Sequence, residues 1–304
     1  MSREHEIRGV LPVVHMPYRE DLAIDYDTLR RQVDHLFETG ADGLCLGLVS
    51  DTLRLTEAER LEIPEHLARF ADGRGPVVIS VGAESTVQAR RFAHAAEDGG
   101  AGALMAMPPL SHGLAEPQLA EYFESLLDEV SLPVLVQDAS GYVGKPMSLE
   151  FQAELFRRHG PRVLFKPEAA PLGPSISGLR DLTGGRAAIF EGSGGVLLID
   201  SYRRGVAGTI PGVELLDGLV ALWRACEAGD WERAYEVYLP ICAIATLQMQ
   251  GGLDGYIVTE RYLMHRQGLF PNQVHRGPLA FHLDDETRRE IDRLHDRLQA
   301  VLRG

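Results

Sequence analysis

Lysine is nearly missing from this chain. Of its 30 Lys and Arg side chains only Lys145 and Lys166 are lysine, so a plain positive charge is normally written here as arginine. Positive charge is itself in deficit. The 44 Asp and Glu residues bring the formal net charge to -14 and the pI to about 5.2. That excludes the positive footprint that nucleic acid or an anionic membrane surface requires, and leaves a small molecule as the expected partner. Cysteine is scarce as well. Cys45, Cys226 and Cys242 are far apart and form neither a C-x-x-C metal pattern nor an even disulfide framework, so a reducing cytoplasm is expected. No apolar run approaches the roughly 20 residues of a bilayer span. The polar N-terminus carries no signal-peptide core, so a soluble, non-exported protein is expected. The histidines show no H-x-x-x-H spacing, and neither metal nor cofactor is expected.

What the chain does have is alternation. Short apolar, β-rich runs at 9–14, 43–47, 76–82, 103–108, 133–138, 162–166, 187–192 and 206–211 are separated by amphipathic stretches, the pattern of βα units on a parallel sheet. Eight such strands close a (β/α)8 TIM barrel. Asp25 and the Thr56/Glu59 pair read as helix N-caps, and Gly40, Gly100 and Gly205 as repeated helix-ending turns that feed the next strand. From Asp217 onward only helical periodicity remains, with helices starting at Trp231, at about Gly255 and at Asp284. The expected organisation is an α/β barrel over 1–216, then its last helix and a C-terminal helical extension over 217–304. Trp223 and Trp231 read as packing residues.

In such a barrel the functional groups come from the C-terminal ends of the strands. Those ends hold His15 after strand 1; Leu48, Val49, Ser50 and Asp51 after strand 2; His112 after strand 4; and Gln137 and Asp138 after strand 5. They also hold Lys166 and Glu168 on strand 6, Glu191 to Gly195 after strand 7, and Ile210 after strand 8. Lys166 is the only lysine among them. A lysine projecting into an apolar barrel is desolvated, which favours its neutral amine, and an amine can add to a carbonyl as a Schiff base where arginine cannot. The resulting iminium is an electron sink for the neighbouring carbon. Glu168, Asp138, Asp51 and His112 are the titratable candidates for the accompanying acid–base work. Glu168 shares the face of Lys166 only if strand 6 runs on through Pro167. The alternative for Lys166 is a strand-end cation paired with Glu168. Gly192-Ser193-Gly194-Gly195 is either a phosphate cradle or a flexible turn.

These residues resemble the dihydrodipicolinate synthase and N-acetylneuraminate lyase family of class I aldolases and lyases. The resemblance spans almost the whole chain, through Pro17, Gly47, residues 55–60, Gly82, Pro108, Pro133, the Lys166 strand, Gly192 and the Gly205-to-Ile210 strand. It implies a barrel, usually tetrameric, with Lys166 as the Schiff-base lysine. The family's Gly-Thr-Thr-Gly-Glu after strand 2 is here Gly47-Leu48-Val49-Ser50-Asp51, and its strand-5 Tyr-Asn-x-Pro is Gln137-Asp138-Ala139-Ser140. The arginine that dihydrodipicolinate synthase uses in the strand-5 loop is replaced near Tyr142. Dihydrodipicolinate synthesis is therefore not expected.

The expected function is a Schiff-base lyase or aldolase of a 2-oxo acid or related carbonyl compound, assembled as a homo-oligomer (dimer or tetramer). Lys166, Glu168 and Gln137 are its catalytic candidates. Leu48, Val49, Ser50, Asp51, Asp138, Tyr142, Ser193 and Ile210 are its substrate contacts, with backbone N–H groups at Val49 and Ser50 as possible carboxylate donors. Carbon–carbon chemistry with a pyruvate-like unit is the first expectation and dehydration of a sugar-acid derivative the second. A non-catalytic binding homologue is the third.

Overall fold

The strands are continuous apolar runs because both of their faces are covered. In the computed structural model, which describes residues 6–111 and 113–304, they are β1 (Gly9–Val10), β2 (Leu44–Leu46), β3 (Val77–Ser80) and β4 (Ala103–Ala106), then β5 (Val134–Asp138), β6 (Val163–Pro167), β7 (Phe190–Glu191) and β8 (Gly208–Thr209). Two parallel sheets, β2-β3-β4-β5-β6 and β7-β8-β1, are joined by parallel bridges at Val13↔Cys45 and Phe165↔Ile189, closing the barrel. Alternate residues face opposite ways. Leu11, Val13, Cys45, Val78, Met105, Leu135, Leu164, Phe190 and Ile210 fill the interior. Leu44, Leu46, Val77, Ile79, Leu104, Val134, Val136, Val163 and Phe165 pack outward into the larger core beneath the helices.

The helices are α1 (Tyr26–Thr39), α2 (Glu57–Ala71), α3 (Thr86–Asp98), α4 (Glu116–Glu129), α5 (Leu149–His159), α6 (Leu172–Leu182), α7 (Leu198–Arg203), α8 (Leu216–Ala228), α9 (Trp231–Met249), α10 (Gly252–Arg266) and α11 (Asp285–Arg303). Asp25 caps α1 through the Thr28 N–H, and Thr56 and Glu59 form the reciprocal box that opens α2. Gly40, Gly100 and Gly205 all take positive φ (100°, 91° and 88°), the left-handed conformation that the three turns demand. Helix α10 starts three residues ahead of the Gly255 expected from periodicity. Gly255 has no room for a side chain, since a Cβ would lie 2.1 Å from the Gln248 carbonyl oxygen, so the glycines that look like breakers permit a tight turn from α9 into α10. Helix α10 is buried on nearly every side, from Asp254 to Met264, and packs against the Leu48–Ser50 turn after β2. The C-terminal extension thus reaches the end of the barrel where the β2 loop lies. No helix among the described residues is long and apolar enough to cross a membrane.

Candidate active site

Strand β6 does run through Pro167. Gln137↔Lys166 and Asp138↔Pro167 are in register with β5, and Glu168 still donates its N–H to the Asp138 carbonyl at 2.8 Å. Phe165 donates toward β7, to the Ala188 carbonyl, so by alternation the missing N–H of Pro167 falls on that side and costs the β5 ladder nothing. Lys166 and Glu168 therefore continue the inward row that begins at Leu164. Gly141 accepts no side chain because a Cβ would lie 2.3 Å from the Glu168 carbonyl oxygen, and its N–H donates to that same oxygen at 3.1 Å. The Glu168 backbone is clamped on both sides by the end of β5.

Lys166 Nζ lies 2.9 Å from Glu168 Oε1, with both side chains about 5% exposed. The other oxygen, Oε2, accepts from Gln137 Nε2 at 2.6 Å. Burial pushes the Glu168 carboxyl above its ordinary value, and the Lys166 charge only partly opposes this. A buried salt bridge recovers its desolvation cost poorly. Passing one proton from Nζ to Oε1 would convert the pair to a neutral amine and a neutral acid, and only the neutral amine can attack a carbonyl. Gln137 holds the carboxyl in place and leaves the proton to the Lys166–Glu168 pair.

Both side chains line one narrow cavity, with about 440 Å³ of empty space when the open solvent at its mouth is counted. Leu48, Val49, Gln137, Tyr142 and Ile210 also line it, so seven of the residues expected from sequence meet here. The Tyr142 hydroxyl donates to the Gly192 carbonyl at 3.2 Å, and its ring meets Tyr256 edge-on at 5.7 Å. Burial and the nearby Glu168 raise the Tyr142 pKa, so it stays a phenol.

Four expected contacts point elsewhere. Ser50 Oγ donates to the Val14 carbonyl and accepts the Gly47 N–H at 3.0 Å, and the Ser50 N–H donates to the Gly47 carbonyl at 3.0 Å, so Ser50 braces the turn. Asp51, in a left-handed conformation with φ 60°, pairs with Arg54 and Arg261. Asp138 accepts from the Ser140 and Met147 backbones at 3.1 and 2.8 Å and shapes the β5 loop. Ser193 is tied to Glu191 through both its N–H and its hydroxyl, and the segment is a turn with Gly194 and Gly195 at positive φ. His112 lies outside the described residues.

The extension supplies what sequence reasoning missed. Leu253, Tyr256 and Glu260 of α10 line the cavity opposite the strand residues. Behind Glu260 stand His15 after β1 and Glu214 after β8, all three at most 3% exposed. Burial moves these groups strongly: His15 falls to about 4, Glu214 rises to about 8 with Glu260 adding to the effect, and Glu260 rises to about 8 with Asp51 adding. One signal was available in the sequence, a carboxylate at position 260 set between the apolar pairs Ile257-Val258 and Leu263-Met264 of one helix.

Gly192 packs directly against the Lys166–Glu168 pair. A methyl there would sit 2.6 Å from Lys166 Cε and 2.7 Å from Glu168 Oε1. Gly192→Ala is expected to lower kcat by about 10–100-fold by displacing the reacting pair, with little change in thermal unfolding. Steady-state kinetics beside a melting curve checks this, and unchanged kcat would contradict the packing described.

The match to known proteins follows the same geometry. Residues 6–298 match the model of the dihydrodipicolinate synthetase family. Over 304 aligned residues, 97% of this chain and 96% of the relative, the chain is 28% identical to an L-2-keto-3-deoxyarabonate dehydratase of Azospirillum brasilense. Over 143 residues, 47% of this chain and 48% of the relative, it is 30% identical to an Escherichia coli K12 protein named a probable 2-dehydro-3-deoxy-D-pentonate aldolase. Among solved structures, a dihydrodipicolinate synthase from Rhodopseudomonas palustris superposes with a TM-score of 0.86 at 25% identity, covering 95% of this chain and 97% of that one. With the barrel complete and the family model matched from end to end, this chain is a member of the dihydrodipicolinate synthetase family and a lysine Schiff-base lyase by class.

Proposed function

We propose that this enzyme removes water from a 2-oxo-3-deoxy sugar acid through a Schiff base on Lys166. The observation that carries this reading is the carboxyl of Glu168, 2.9 Å from Lys166 Nζ, while the strand-5 position where the resemblance implies a relay tyrosine holds Gln137. The amine adds to the C2 carbonyl, Glu168 gives its proton to the former carbonyl oxygen, and water leaves as the iminium forms, so that Glu168 is again a carboxylate. An oxygen that close to the imine nitrogen reaches the hydrogen on C3, the carbon next to the former carbonyl. Glu168 takes that proton, the electron pair enters the iminium as an enamine, and the C4 hydroxyl departs as water with a proton returned by the same carboxyl. Hydrolysis of the remaining imine consumes one water and frees the lysine. One water is lost overall. Val13, Leu48, Val49, Ile210, Pro211 and Leu253 give the cavity an apolar wall against the carbon chain.

The full-length likeness to a keto-deoxy-arabonate dehydratase supports the same step. Carbon–carbon cleavage is the second reading, favoured by the phenol of Tyr142 in the cavity and by the half-length likeness to a pentonate aldolase. Incubation with 2-keto-3-deoxypentonates decides between them. Dehydration leaves a C3=C4 double bond beside the C5 hydroxyl, which tautomerises to a single five-carbon oxo-aldehyde acid, whereas cleavage yields pyruvate and a two-carbon aldehyde. Pyruvate as the main product would overturn the dehydratase reading. The three free cysteines suit a reducing cytoplasm, and the exposed Leu197, Tyr235 and Leu239 suit burial between subunits of a homo-oligomer.

A further inference from the structure

We propose that His15, Glu214 and Glu260 form a binding site for one divalent transition-metal cation at the edge of the cavity. Three segments remote in sequence, the ends of β1 and β8 and the middle of α10, bring one ligand atom each to within 4.8 Å of one another. None of the three side chains is more than 3% exposed. Glu214 Oε2, Glu260 Oε2 and both ring nitrogens of His15 have no hydrogen-bond partner among the described residues. His15 Nε2 and Glu260 Oε2 approach to 2.6 Å without the alignment of a hydrogen bond. Buried polar atoms are rarely left without partners.

The surroundings hold the three groups in place. Gln248 Nε2 donates to Glu214 Oε1 at 2.8 Å, fixing one oxygen and turning the other inward. Gln32 grips the His15 backbone twice, accepting its amide N–H at 2.7 Å and donating to its carbonyl at 2.8 Å. Gly212 makes the approach possible, because a Cβ there would lie 2.3 Å from Glu214 Oε2 and 2.8 Å from Glu260 Oε1.

The charges leave a gap of one cation. Once ionised, two carboxylates in this buried space need a counterion, and the adjacent Arg261 is committed to Asp51 at 3.4 Å and to the Met16 carbonyl at 2.8 Å. One imidazole and two carboxylates suit Zn²⁺ or Mn²⁺ better than the oxygen-only shells of Ca²⁺ or Mg²⁺. Glu260 also lines the cavity, so the ion would present an open position toward the substrate. Among the described residues no arginine lines that cavity, and Lys166 is spent on the imine, so the ion would supply the positive charge that an anionic 2-oxo acid needs. That use rests on the proposed function; metal binding does not.

The test uses the full chain, stripped with a chelator and titrated with Mn²⁺ and Zn²⁺ by calorimetry. One cation per chain is expected, with affinity falling at least about 100-fold in Glu214→Gln and unchanged in the surface control Glu290→Gln. Failure of the wild type to bind one equivalent, or equal binding by Glu214→Gln, overturns the site and leaves protons as the counterions of the cluster. Should Glu214→Gln fail to fold by circular dichroism, pulsed electron paramagnetic resonance of the wild type with Mn²⁺ decides, since imidazole nitrogen coupling is expected and its absence overturns the proposal. These readouts do not involve turnover, so they stand or fall separately from the dehydratase reading.

Discussion

Lys166→Arg removes turnover by about 10⁴-fold or more while leaving the barrel folded. Arginine keeps the positive charge beside Glu168 and most of the length of the side chain, so a lysine serving only as the ion-pair partner of Glu168 would tolerate the change. A guanidinium stays protonated and cannot add to a carbonyl. Kinetics with a 2-oxo acid substrate, together with a thermal melt, separates the two roles. Retained activity in Lys166→Arg would reduce the lysine to structure. This prediction has the largest expected effect because the covalent route itself is lost.

Glu168→Gln is expected to lower kcat by about 10²–10⁴-fold, the range of a general acid–base group, while the protein still forms its adduct with a carbonyl compound. The amide preserves the shape of the side chain but cannot carry the proton from C3. Because Glu168 must be ionised to act as a base, activity rises with pH through its pKa. Burial raises that pKa above the ordinary carboxylate value of 4.5, which places the acid limb of the wild-type profile correspondingly higher. In Glu168→Gln that limb disappears. A variant with the same acid limb as the wild type would mean that another group takes the proton.

The parts of the fold written in local patterns were legible from the chain alone. All eight strands and the caps at Asp25 and Thr56 follow from apolar runs, cap chemistry and residue spacing within a dozen positions. Lys166 stood out because the chain avoids lysine elsewhere. The passage of β6 through Pro167 was harder to see, since it depends on which neighbour the missing N–H faces. Ser50, Asp51 and Ser193 have side chains suited to substrate contact, and only tertiary structure reveals that their polar atoms are used to hold turns together. Tyr256 and Glu260 were invisible as site residues because periodicity says where α10 is but not against what it docks. The His15–Glu214–Glu260 cluster was hidden for the same reason: metal motifs are recognised by spacing within a segment, and these groups come from three segments.

The central claim is that Lys166 is a nucleophile, and reduction of a trapped imine tests it most directly. Wild-type protein incubated with pyruvate and borohydride should gain the mass of one reduced pyruvyl group per chain, located on the peptide that contains Lys166, and Lys166→Ala should gain none. An unmodified wild type across a panel of 2-oxo acids, or an adduct that persists in Lys166→Ala, would contradict the account and favour a binding homologue that retains its lysine for structure.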